Sequence, residues 1–143
     1  MKKKLASLVV GAVAATGGLL TATAPQAQAL PMCNQANWVA GTLQPTYYGS
    51  TNCVLMRGAQ GQAVRALQYI LTCAVGDFHP IDIDGSFGDD TKYALMVAQN
   101  MLGLQADGVY GPQSRAALPK VYGYSGTPGQ GTWGVSCSYR LYR

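Results

Sequence analysis

A chain of 143 residues with 11% charged side chains and a formal net charge of +4 has the size of a single domain. Three of the positive charges are Lys2, Lys3 and Lys4, so the rest of the chain is close to neutral, at about +1. This excludes the basic stripe of a nucleic-acid binder and the polybasic patch of a membrane-surface protein.

The three lysines precede an apolar run from Leu5 to about Leu20 and a polar stretch ending in Ala27-Gln28-Ala29. A basic head, an apolar middle of about 15 residues and an A-x-A end form a secretory signal peptide, residues 1–29, cleaved after Ala29. The run is rich in Gly and Ala and no basic stop-transfer cluster follows, which disfavours a membrane anchor. The expected product is extracellular, monomeric, and holds no membrane segment after cleavage. It has no Glu, and all six of its acids are Asp.

Cys33, Cys53, Cys73 and Cys137 all lie beyond the signal. An even count in a small exported chain predicts two disulfides. Three pairings are open; Cys33–Cys53 with Cys73–Cys137 is the expected one, since it closes an N-terminal loop and ties down the tail. Zinc is the competing use, but there is no C-x-x-C and only one His. No metal or other cofactor is expected.

Residues 30–54 form an aromatic N-terminal extension, with Trp38, Tyr47 and Tyr48 among Gly, Thr, Asn and Pro. Pro45 and Gly49 frame a turn, and no helix is predicted. A helix is predicted from about Gln62 to Thr72, where Val64, Leu67 and Leu71 share a face widened by Ala63 and Ile70. A loop with His79-Pro80 leads to a second helix, about Asp89 to Leu102, stopped by Gly103. A short third helix spans about Pro112 to Leu118, and Pro119 ends its pattern. Residues 120–143 form a Gly/Tyr-rich tail with Tyr122, Tyr124, Trp133, Tyr139 and Tyr142 and no helical period.

Two stretches repeat one another. Asp84-Gly85-Ser86-Phe87-Gly88, followed by Thr91 and Ala94-Leu95, lines up with Asp107-Gly108-Val109-Tyr110-Gly111, followed by Ser114 and Ala117-Leu118. Asp-Gly is a turn pair in which the carboxylate accepts nearby N–H groups and glycine reaches φ > 0 at no steric cost. The aromatic pins the turn to the core, and the second glycine swings the chain into a helix. Pro112 suits a first helical position, and Asp89 and Asp90 place negative charge at the positive end of the helix dipole. Three helices and two stiff turns predict an all-α fold: a small three-helix bundle, disulfide-stapled, with irregular terminal extensions.

The order Gly58, Gly61, Val64, Leu67-Gln68, Leu71, then Asp84-Gly85, Phe87-Gly88, Thr91, Ala94-Leu95, Gln99, Gly103-Leu104, then Asp107-Gly108, Gly111 and Ala117-Leu118 resembles the type 1 peptidoglycan-binding domain. The resemblance covers about residues 55–119, and a short chain with an export signal and paired cysteines looks like the solitary secreted actinobacterial versions. It implies a helical module that grips bacterial peptidoglycan, by its glycan strand or stem peptide, and in many relatives anchors a wall hydrolase. Ala98 stands where the family usually has Phe, so Tyr93 or a tail aromatic is expected to fill that volume.

No complete catalytic set can be assembled. His79 is alone, which rules out a multi-histidine zinc site and a Cys/His pair with a free thiol. Asp82-Ile83-Asp84-Gly85 laid on a calcium-loop frame puts Pro80 first and Thr91 last, so two main ligands are missing. Asp77, Asp82 and Asp84 could pair as the two carboxylates of glycoside cleavage, but Asp84 recurs as Asp107 in a turn that needs it structurally. The chain is therefore expected to bind, not to catalyse. Its candidate contacts are Gln68, Tyr69, Tyr93, Gln99 and Tyr110, with Asp84 and Asp107 chiefly turn-formers and Phe87 and Tyr110 chiefly core plugs. The rival expectation is a secreted protein-interaction or inhibitor module, or an accessory subunit of a wall hydrolase, with Tyr and Trp loops at its interface.

Overall fold

A computed structural model describes residues 29–76, 78–124, 134–138 and 141. The expected signal segment up to Gln28, together with Asp77, Trp133, Tyr139 and Tyr142, lies outside the described residues. Seven elements follow one another: β1 (Gln35–Val39), β2 (Thr42–Thr46), α1 (Gln62–Val75), α2 (Asp89–Met101), α3 (Pro112–Ala117), β3 (Val121–Tyr124) and β4 (Gly134–Cys137). The four strands form one antiparallel sheet in the order β1-β2-β3-β4.

The all-α expectation is thus wrong. Its three helices are present, but the two extensions expected to be irregular meet in space and make a sheet. β1 and β2 form a hairpin whose two loop residues, Ala40 and Gly41, both have positive φ (49° and 79°), the geometry of a tight primed turn that suits strand twist. A second tight turn at Tyr47–Ser50 also has two left-handed residues, Tyr48 and Gly49. Pro45 is tolerated inside β2 for a geometric reason. Thr46 turns its carbonyl toward the β1 side, where it accepts from Asn34, so Pro45 faces away. On that side β3 reaches β2 only at Thr42, and no ladder donor is required of Pro45.

α1 is the central element. Ten of its residues are buried, because it packs against α2 on one side and the sheet on the other. The core joins Val64, Leu67 and Leu71 of α1 to Leu95 and Ala98 of α2, the turn aromatics Phe87 and Tyr110, and Val121 of β3. Cys33 bonds Cys53, and Cys73 bonds Cys137, so one bridge closes the hairpin region and the other ties α1 to β4. Ala98 is fully buried. Tyr93 does not fill its missing volume, being 55% exposed and edge-on to His79 at 4.9 Å between ring centres.

The helix ends match the local chemistry. α2 carries Asp89 and Asp90 in its first turn, and α3 begins with Pro112. Gly103, at φ 70°, reverses the chain after α2 so that the Leu104 N–H reaches back to the Gln99 carbonyl at 2.9 Å. Among the described residues no helix is long and apolar enough to cross a membrane.

Candidate functional site

The duplicated turns have the same internal wiring. Gly85 and Gly108 both adopt left-handed backbone, φ 79° and 69°. In the first turn Asp84 Oδ1 accepts from the Ser86 N–H at 2.8 Å; in the second, Asp107 Oδ1 accepts from the Val109 N–H at 2.9 Å. Each turn is then gripped by a glutamine from the preceding helix. Gln68 Nε2 reaches Asp84 Oδ1 (2.8 Å), the Ser86 carbonyl (3.2 Å) and Thr91 Oγ1 (3.2 Å), while its Oε1 accepts from the Gly85 N–H (2.8 Å). Gln99 Nε2 reaches Asp107 Oδ1 (2.8 Å), the Val109 carbonyl (3.0 Å) and Ser114 Oγ (3.1 Å), while its Oε1 accepts from the Gly108 N–H (2.9 Å). A primary amide offers two donors and one acceptor oxygen, and both glutamines use both ends.

A third segment ties the two turns together. Residues 55–60, entering α1, pair with Tyr110 through reciprocal Leu55 bonds of 2.8 Å, then with Phe87 through the Gly58 N–H (3.0 Å) and the Ala59 carbonyl (2.9 Å). Phe87 and Tyr110 are consequently buried under this arm.

The candidate residues therefore divide by burial. Gln68, Gln99, Phe87 and Tyr110 are each at most 2% exposed, and the two amides are occupied inside the protein. Tyr69 is half-buried on α1, while Tyr93, Asp84 and Asp107 reach solvent. The Ser86 N–H, followed by Gln68, holds the Asp84 carboxyl below its ordinary range. The burial of the glutamines had a sequence signal. Gln68 shares the stripe of Val64 and Leu71, and Gln99 that of Leu95 and Leu102, so a polar side chain there faces the core.

Sequence reasoning did not find the concavities beside each turn. One groove, about 340 Å³, is bordered by Leu104, Gln105, Asp107, Val109, Pro112 and Gln113. The other, about 100 Å³, is bordered by Ile81, Asp82, Asp84, Ser86, Asp89 and Asp90. A step of 23 residues converts each member of the second set into the corresponding member of the first, so the grooves are structural duplicates. Their chemistry has diverged. The smaller groove carries four carboxylates, one of them paired with Arg57 at 2.9 Å; the larger carries one, with the exposed amides of Gln105 and Gln113, the buried amide of Gln99 and three apolar side chains.

A family model described as "Putative peptidoglycan binding domain" matches residues 60–118. A probable N-acetylmuramoyl-L-alanine amidase of Bacillus licheniformis is 38% identical over 69 residues, 48% of this chain and 20% of the amidase. The zinc D-Ala-D-Ala carboxypeptidase of Streptomyces albus G is 36% identical over 118 residues, 82% of this chain and 42% of that enzyme. Among solved structures, the SleB N-terminal domain is 37% identical, with the match covering 46% of this chain and 86% of that one at a TM-score of 0.41. The chain thus spans about a fifth of the amidase's length and less than half of the carboxypeptidase's. With both turns, both gripping glutamines and the matched span 60–118 in register, this chain belongs to the peptidoglycan-binding domain family.

Proposed function

We propose that this protein is an exported, non-catalytic module that attaches to bacterial cell-wall peptidoglycan. The observation that carries the reading is the pair of intact glutamine-gripped turns within the family's matched span. Their motif residues are spent on rigidity, which holds a groove in fixed shape for a ligand. All four cysteines are committed to disulfides, and His79 packs edge-on against Tyr93.

The relatives support the same reading, because two of them are named as enzymes of wall chemistry and match this chain over only part of their length. In this reading residues 1–29 export the chain. The unit that attaches to the wall includes the flanking strands as well as residues 55–119, since Leu43, Val121 and Cys137 pack on the same core. The test is sedimentation with purified insoluble peptidoglycan. Retention that soluble muropeptides reverse is the expected result. A protein that stays in the supernatant, or one that clears the wall suspension, refutes the reading.

A further inference from the structure

The two duplicated grooves differ in ways that choose between them. A small-molecule site occupies roughly 300–1,000 Å³, which the groove beside the second turn meets at about 340 Å³ and the one beside the first turn does not at about 100 Å³. The smaller groove is also lined by Asp82, Asp84, Asp89 and Asp90, whose field opposes any ligand bearing carboxylates. In the larger groove the equivalents of Asp82 and Asp90 are Gln105 and Gln113, both exposed, with side-chain amides that engage no other described residue. Leu104, Val109 and Pro112 supply an apolar wall. Asp107 is the single acid, and one of its oxygens is already held by Gln99 and the Val109 N–H.

We propose that the groove beside the second turn is the ligand site, and that it takes an uncharged acylamino group. A secondary amide presents one N–H and one C=O, which two primary amides satisfy by accepting and donating, while a methyl-sized substituent lies on the Leu104–Val109–Pro112 wall. Peptidoglycan contains this chemistry both in the acetamido groups of its sugars and in the backbone of its stem peptide. The inference rests on the wall-binding reading and adds where contact is made and by which residues. The first-turn groove is the duplicate that does not bind.

The duplication supplies the test. Gln105→Asp with Gln113→Asp gives the second groove the acids that the same backbone carries in the first, and Asp82→Gln with Asp90→Gln is the reciprocal exchange. Wall retention should fall at least about tenfold for the first double variant and stay within about twofold for the second. In parallel, the wild-type protein is titrated by NMR with N-acetylchitotetraose and, separately, with an N-acetyl-alanyl-alanine amide. Shifts of the Gln105 and Gln113 side-chain amides with the sugar assign the acetamido source, and shifts with the peptide assign the stem. The titration needs no variant, so a misfolded variant does not shelter the proposal. Retention of a folded Gln105→Asp/Gln113→Asp protein at the wild-type level overturns it, and so does silence of both side chains with both probes. If wild-type protein ignores the wall yet these amides shift, the groove stands and the wall reading falls.

Discussion

Tyr110 is 1% exposed, and its hydroxyl has no hydrogen-bond partner among the described residues. Burial pushes its phenol well above the ordinary range, the response of a group stripped of water. An unsatisfied buried polar group costs about 1–3 kcal/mol, whereas a phenyl ring of the same shape does not. The duplicate position already shows that phenylalanine fits, since Phe87 occupies it under the same arm at 2% exposure. Tyr110→Phe should therefore leave the fold intact and stabilise it by about 1 kcal/mol or more. In a domain of this size that raises the melting temperature by about 4–8 °C per kcal/mol. Phe87→Tyr should do the reverse, losing about 1–3 kcal/mol by burying a new hydroxyl. Thermal unfolding followed by circular dichroism, with disulfides intact and checked against urea midpoints at unchanged slope, measures both. A Tyr110→Phe protein that is less stable by 1 kcal/mol would show that the hydroxyl has a partner, and the reasoning would fail.

Gln68→Glu would set a carboxylate against Asp84 Oδ1 and the Ser86 carbonyl in place of a donor. We expect a loss of about 3–5 kcal/mol at pH 7, partly recovered near pH 4 as the new carboxyl protonates, read from urea unfolding at both pH values. Because the folded-state pKa of Asp84 is depressed, its contribution is present above about pH 3.9, its unfolded value, and is lost as pH falls through the lower folded value. Asp84→Asn should flatten the acid limb of a stability-versus-pH curve, and an unchanged limb would contradict the assignment. The disulfides should rank by the loops they close. Replacing both partners of Cys73–Cys137, 64 residues apart, with Ala should cost about 4 kcal/mol, against about 3 kcal/mol for Cys33–Cys53, 20 apart; denaturant midpoints in the opposite order would refute the ranking.

The helices and turns were legible because their chemistry is local. Helical period, Gly103, Pro112 and the Asp-Gly pairs each specify backbone within a few residues, and the observed helices differ from expectation by one to three residues at their C-terminal ends. The sheet was not legible, for reasons visible in β1 and β2. Ala40-Gly41 lacks the Asn-Gly or Asp-Gly of a recognisable hairpin loop. The alternate residues Thr42, Gln44 and Thr46 are buried yet polar, so no apolar alternation marks the strand, and Pro45 argues against one. Only the breadth of apolar surface around α1 hinted at a second layer. The grooves were illegible because they depend on distances between loops, although the 23-residue step that relates their linings is plain in the sequence.

The placement of Cys73–Cys137 has a mechanical consequence. When the chain is pulled from its flanks, load runs across Cys33–Cys53, along residues 53–73, and then across the second bridge, skipping the 64-residue loop that contains both turns and the larger groove. In the wall-binding reading, tension on the flanks bypasses the proposed ligand groove instead of stretching it.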